Sequence, residues 1–338
     1  MDSEERFQLI KRNTEEIIEE EGLKKLLASK KKPVIYWGTA PTGKPHIGYL
    51  LPALKIADFL KAGFKVKILL ADIHATLDNV PWNIVDKRYD YYKKIIPLLI
   101  KSIGADTRHL KFIKGSEMQL KPEYMYDILQ LSSLVSVHDA TKAASDVVKS
   151  VDNPKLSGII YPLMQAMDEE YLDVDCQLGG TDQRKIMVLA REYLPKIGYK
   201  ARIEIMNPLI PGLVGEKMSS SDEKSKIDLV DDYETVKKKI INAECAPGDP
   251  NNGIMALLKY IIMPLKQDNK KKLIIKREEK FGGEISYEDY ENIEKDFVDK
   301  SLHPLDLKNA LVEELWDILK PIQKEKKLLD KLAKEAYS

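Results

Sequence analysis

Cysteine is scarce. The 338 residues contain two, Cys176 and Cys245, far apart and without CxxC or Cys/His ligand spacing. That excludes a disulfide-stapled scaffold and a zinc ribbon, and it fits a reducing compartment with both thiols acting as small buried hydrophobes. An excess of one charge is also lacking: 54 basic residues balance 54 acidic ones. A globally cationic nucleic-acid coat or an acidic solvating tail is excluded, and any basic patch must be local. No apolar run approaches the ~18 residues of a membrane span. Residues 1–21 are acidic and lack the apolar core of a signal peptide or the Arg-rich character of a transit peptide, so a cytoplasmic location is expected. What is present is 43 % apolar residues. At ~100–200 residues per domain the length predicts two domains with a substantial core.

Phe7, Ile10, Ile17, Ile18 and Leu23 recur at helical spacing, so the first 25 or so residues read as one amphipathic helix ended by a lysine-rich stretch. Pro33 to Gly38 is β-prone and runs into a Gly/Pro/Thr-rich loop, Thr39 to Pro45, before a helical pattern over 46–61. A strand is expected near 65–72, buried on both faces. Further helices are expected near 83–102, between 122 and 149, and over 161–171 and 182–194. Further strands are expected near 110–114 and 174–178. This alternation predicts an α/β fold, a Rossmann-like doubly wound parallel sheet that binds ligands beyond the carboxyl ends of its strands. From about Asp231 the pattern turns mainly helical, with one apolar interruption at 273–275. The expected division is a catalytic domain over 1–235, with an insertion at about 115–157 and a loop at 215–222, followed by a helical domain over 236–338.

Two segments carry chemistry. Residues 41–49 (PTGKPHIGY) lie between a predicted strand and helix, where backbone N–H groups and the helix dipole face an anion and Gly43 and Gly48 allow close approach. Neither GxxxxGK[ST] nor GxGxxG is present. Alone, His46 reads equally well as an ordinary residue at a helix start. Residues 215–222 (GEKMSSSD) place one lysine among hydroxyls next to Gly212 and Gly215, which suits a loop that grips a polyphosphate. Alone, this reads as a surface turn.

Taken together, His46-Ile-Gly-Tyr49 and Lys217-Met-Ser-Ser-Ser221 resemble the two signature loops of class I aminoacyl-tRNA synthetases. Tyr161-Pro-Leu-Met-Gln165, Asp168 and the run from Gly179 to Lys185 resemble the archaeal and eukaryotic type of tyrosyl-tRNA synthetases. The likeness extends to Phe281-Gly-Gly and His303-Pro-Leu-Asp306. It departs from the common pattern at Tyr49, where a second histidine is frequent and where eukaryotic members resemble this chain.

The resemblance implies an ATP-dependent ligase that activates tyrosine to an adenylate and passes it to tRNA(Tyr). It also implies a homodimer, no membrane, and Mg2+ arriving with ATP at no dedicated protein site. His46 would meet the α-phosphate, Lys217 the outer phosphates, and Met218, Ser219, Ser220 and Ser221 would close the loop, with Gly38, Gly48, Gly179 and Asp182 lining the ATP site. Such a reaction needs no protein nucleophile, only positioning and charge neutralisation. Asp168 and Tyr36 would read the phenol, and Tyr161, Gln165 and Gln183 would hold the α-amino group. Tyr161, Gln165 and Asp168 fall at i, i+4 and i+7, on one helix face. A site built around a hydroxyl rejects the analogue lacking it, and tyrosyl-tRNA synthetases are themselves the standard case. Asp72 and His74 read equally as pocket-lining or structural.

For tRNA, Lys142 and Arg184 match acceptor-stem positions. Phe281, His303 and Asp306 match those receiving an anticodon base, where an aromatic ring and an imidazole can hold an unstacked base. Residues 266–281 contain seven basic and three acidic residues, a local basic patch. A capping turn at 303–306 is the local alternative. Rival readings are a tryptophanyl-tRNA synthetase, a nucleotidyltransferase acting on a small substrate, and a non-catalytic RNA-binding paralogue.

Overall fold

The structure, a computed structural model, describes residues 1–147, 155–215, 218 and 222–337. Lys217, Ser219, Ser220 and Ser221 therefore lie outside the described residues.

Eight strands are present among the described residues: β1 Glu16–Ile18, β2 Val34–Thr39, β3 Lys65–Leu70, β4 Leu110–Lys114, β5 Cys176–Gly180, β6 Ile203–Asn207, β7 Leu273–Ile275 and β8 Ile285–Tyr287. The first helices are α1 Ser3–Lys11, α2 Glu20–Ser29, α3 Leu50–Lys61, α4 Asp72–Leu77 and α5 Val85–Ser102. There follow α6 Ser116–Gln119, α7 Pro122–Ser132, α8 Val137–Ala144, α9 Leu156–Tyr171 and α10 Arg184–Tyr193. The C-terminal set is α11 Tyr233–Ile241, α12 Gly253–Leu257, α13 Met263–Asp268, α14 Tyr290–Val298, α15 Pro304–Gln323 and α16 Lys326–Tyr337.

Six strands form one sheet in the order β1-β6-β5-β2-β3-β4, and all neighbours are parallel except β1. Alternate residues serve its two faces, as the pleat requires. Ile35, Trp37, Val66, Ile68 and Leu70 join a core with Leu54 of α3 and Ile95 of α5. Tyr36 and Leu69 join the opposite core with Tyr124, Met164 and Ile186. The sheet is thus doubly wound, as expected. From β2 the chain runs outward through β3 and β4, and it returns to the other side at β5. The crevice beyond the carboxyl ends of β2 and β5 is the switch point where such sheets bind ligands.

Two expectations need correction. The first 25 residues are not one helix. Asn13 (φ 56°) and Glu19 (φ 73°) take left-handed backbone, and between them β1 pairs with β6, Ile17 opposite Ile205. The two β-branched isoleucines cover a sheet edge instead of continuing a helix face. The second is an omission: β6 is not among the expected strands, and its Glu204 is a carboxylate with no exposed surface.

The C-terminal helices share the first core: Leu307, Leu311 and Leu315 of α15 and Leu329 of α16 are fully buried in it. Arg12 adds a polar tie, reaching Asp58 of α3 at 2.5 Å and Asp268 of α13 at 2.6 Å.

Candidate active site

At the switch point lies a cleft of about 390 Å3. It gathers Tyr36, Gly38, His46, Tyr161, Gln165, Asp168, Gly179, Asp182, Gln183 and Met218, ten of the residues singled out in the sequence. An adjoining hollow of about 250 Å3 adds Gly48 and shares His46, Gly179, Asp182 and Met218.

The floor is built by α9. Asp168 is 1 % exposed, and its carboxylate accepts from Gln119 Nε2 at 2.8 and 3.1 Å and from the Tyr124 hydroxyl at 2.9 Å. Burial outweighs these two donors and pushes its pKa up to about 7. Gln119 Nε2 also lies 3.1 Å from His74 Nδ1, so the ring nitrogen accepts and the proton sits on Nε2, 3.8 Å from Asp168 Oδ2. Burial lowers His74 to about 4 and keeps it uncharged. The Tyr36 hydroxyl is buried and has no hydrogen-bond partner among the described residues. The slot therefore holds an acceptor already fixed in place and a hydroxyl still to be satisfied. Such groups cost free energy until a ligand pairs them. Behind the slot, Glu169 and Glu204 are fully buried; burial raises both carboxyls, and repulsion from Glu204 adds to the rise at Glu169.

The walls follow. Gln165 donates to Gln183 Oε1 at 3.0 Å, and the Tyr161 ring packs edge-on against His74 at 4.6 Å between centroids. His46 caps the short turn 47–49 that opens into α3, and its Nδ1 accepts from Gly48 N at 3.2 Å. Its proton is thus on Nε2. Burial, aided by nearby Lys226, lowers its pKa to about 4. His46 is an uncharged donor, suited to a phosphate oxygen. Gly48 is required by this packing, because a Cβ there would sit 2.8 Å from His46 Cε1 and 3.3 Å from Met218 Sδ. Gly48 and Met218, one residue from each signature segment, thus lie close together. The first segment is braced from behind, where Ile47 N donates to Ile227 O at 2.9 Å.

The sequence missed Gln119 and Tyr124, which come from the segment after β4 and carry no motif of their own. It left His74 open, and the structure places it in the cleft. Asp72 instead accepts from Ser116 N at 2.7 Å at the start of α6, a structural role. Tyr49 joins several contacts: its hydroxyl meets Thr39 at 3.3 Å and Tyr92 at 3.2 Å, and its ring packs against Trp37 and His46.

The remaining expected residues fall in two other places. Lys142 and Arg184 line one hollow of about 300 Å3 with Lys185, Glu192 and Tyr193. Arg184 is held there by Glu16 at 2.7 and 2.9 Å. Phe281 is 62 % exposed in the β7–β8 connection. Arg277 joins that connection to the start of α15, donating to Gly283 O at 3.0 Å and Ser301 O at 3.4 Å. His303 caps α15 through Nδ1, accepting from Leu305 N at 3.1 Å, and Asp306 lies in the first turn.

Comparison with known proteins agrees in kind. The family model "tRNA synthetases class I (W and Y)" matches residues 28–320. The chain is 50 % identical over 339 residues to the cytoplasmic tyrosine–tRNA ligase of Danio rerio, covering 99 % of this chain but 63 % of that one. It is 45 % identical to the probable cytoplasmic tyrosine–tRNA ligase of Encephalitozoon cuniculi, with both chains covered fully. The crystal structure of the Archaeoglobus fulgidus tyrosyl-tRNA synthetase complexed with L-tyrosine superposes with a TM-score of 0.89 at 38 % identity, covering 96 % of this chain and 100 % of that one. With His46 and Met218 lining one cleft at the switch point and a family match across most of its length, the chain belongs to the class I tRNA synthetases of the W and Y type.

Proposed function

We propose that the protein is a tyrosine–tRNA ligase, acting in the cytoplasm as its relatives' names have it. Tyrosine's carboxylate attacks the α-phosphorus of ATP and pyrophosphate leaves; a terminal ribose hydroxyl of tRNA(Tyr) then takes the tyrosyl group from the adenylate, and AMP leaves. The observation that carries this reading is the buried Asp168 carboxylate beside the unpartnered Tyr36 hydroxyl. A phenol OH both donates and accepts, and so satisfies both groups. An indole N–H only donates, so it can serve one of the two groups and offers the Tyr36 O–H no acceptor, which disfavours tryptophan.

In this reading Tyr161, Gln165 and Gln183 hold the α-amino group, and Gly38, Gly48, Gly179, Asp182 and Met218 line the nucleotide space. His46 donates Nε2–H to the α-phosphate. Lys217 and Ser219 to Ser221 meet the outer phosphates, with Mg2+ arriving on ATP as part of the substrate. Because no protein atom is acylated, the rate enhancement comes from alignment and from donors placed where charge grows. Residues 1–235 form the catalytic module and 236–338 the module that reads the anticodon through Phe281, His303 and Asp306. Lys142 and Arg184 take the acceptor stem. Two copies pair through the insertion, where Leu120, Tyr126, Leu129 and Val137 are each more than half exposed. Sedimentation at the monomer mass would refute that pairing.

The test of the activity is ATP–pyrophosphate exchange with each of the twenty amino acids. Exchange with tyrosine alone is expected. Exchange with tryptophan, or with none, overturns the proposal.

A further inference from the structure

The loop that leads into His46 has backbone carbonyls that belong to no helix or strand, and side chains from distant parts of the chain take them. Thr42 O accepts from Arg88 Nη1. Gly43 O accepts twice, from the Tyr92 hydroxyl at 2.6 Å and from the Tyr337 hydroxyl at 3.1 Å. Arg88 and Tyr92 stand on α5, and Tyr337 ends α16, 294 residues from Gly43.

Arg88 joins the two sides. Its Nε donates to Ala336 O at 3.2 Å, and its guanidinium carbon lies 4.8 Å from the centre of the Tyr337 ring. A cation is favoured at a helix C-terminus and over an aromatic face, so this position suits it twice. The Tyr337 ring is fixed on another side by Tyr91, edge-on at 5.7 Å. The loop is thus gripped from the α5/α16 side, while Thr42 and His46 present its other side to the cleft.

We propose that Tyr337 and Arg88 are positioning residues for the nucleotide loop: by holding the carbonyls of Thr42 and Gly43 they set where His46 meets the α-phosphate. The proposal rests on the assignment of that loop to ATP. Neither residue lines the cleft, and the Asp168/Tyr36 floor is built from α9 and β2, so the effect falls on ATP and not on tyrosine. Misplacing a reacting group by about 1 Å is enough to slow a reaction ~100-fold, so a loop held by three side-chain donors is sensitive to losing one.

The test is exchange kinetics of the full chain carrying Tyr337→Phe or Arg88→Ala, together with hydrogen–deuterium exchange of the segment 40–48. Tyr337→Phe keeps the ring contacts and removes only the hydroxyl. It is expected to raise KM for ATP or lower kcat about threefold to tenfold, with KM for tyrosine within twofold. Arg88→Ala, which releases Thr42 and Ala336 together, is expected to do more. Both should speed amide exchange in 40–48. Unchanged ATP parameters and unchanged amide exchange in both variants overturn the proposal, as does a parallel rise in KM for tyrosine, which would mark general structural damage. If the wild-type chain shows no tyrosine-dependent exchange, the proposed function fails separately, and the amide exchange of 40–48 still decides whether the grip exists.

Discussion

If Asp168 reads the phenol as proposed, tyrosine binding depends on pH in a direction set by the burial of that carboxyl. In the free protein its carboxyl titrates at about 7, against 3.8 when unperturbed, because burial outweighs its two donors. A phenol that donates to the carboxylate selects the ionised form. At pH 6 about one-tenth of the free protein is ionised at this site, against about nine-tenths at pH 8. Tyrosine affinity is therefore expected to fall about tenfold between pH 8 and pH 6. Stability moves the opposite way. A carboxyl with a raised folded pKa binds more protons folded than unfolded between pH 3.8 and 7, so the free protein loses stability as pH rises through that window and levels off above it. Three units at about 1.4 kcal/mol each set an upper bound of about 4 kcal/mol.

The assay is equilibrium dialysis of labelled tyrosine, with denaturant melts across pH 5 to 8.5, on wild type and Asp168→Asn. His74 and His46 stay neutral throughout this range and add no inflection. Glu169 and Glu204 also titrate high and remain in the variant, so the difference between the two proteins reports Asp168 together with the repulsion it exerts on Glu169. Equal tyrosine affinity at pH 6 and 8, or melts whose pH slopes coincide, would refute the reasoning.

His46→Ala is expected to lower kcat for pyrophosphate exchange by ~100- to 1,000-fold while tyrosine binding is unchanged, as for loss of one oriented donor. Because His46 titrates at about 4, the wild-type contribution should be flat from pH 5.5 to 8, and a step near 6.5 would contradict its assigned state. Glu16 holds the Arg184 guanidinium, so Glu16→Gln should lower KM for tRNA and Arg184→Ala should raise it; identical shifts in both would remove Arg184 from the acceptor stem. Phe281→Ala and His303→Ala should raise KM for tRNA severalfold and leave pyrophosphate exchange intact, and a matching loss of exchange would count against an anticodon role.

Most of this site was legible because its parts are local. The spacing of Tyr161, Gln165 and Asp168 places them on one face of α9, and the glycines of the two signature segments mark where backbone must come close. Neither periodicity nor motif pointed to Gln119 and Tyr124. Their role is to donate to a carboxylate on another helix, a relation made only by tertiary packing. The same holds for the sheet edge. Ile17 and Ile18 fit a helical period, and only the free side of β6 makes them a strand. In β6 the sequence misleads about burial, because Glu204 between Ile203 and Ile205 reads as a solvent-facing position and is in fact fully buried. At the His303 turn the local reading is the one observed, since Nδ1 caps α15, and the proposed anticodon contact is a separate question for the His303→Ala variant.

The central claim is that a buried carboxylate recognises the phenolic hydroxyl, and a calorimetric cycle tests it most directly: tyrosine and phenylalanine, each titrated into wild type and Asp168→Asn at pH 8. Losing a hydrogen bond to a charged partner costs ~1.5–3 kcal/mol, so tyrosine should bind the variant about 10- to 150-fold more weakly, while phenylalanine binds it no worse than wild type. An equal loss for both amino acids would mean that Asp168 shapes the slot without reading the hydroxyl.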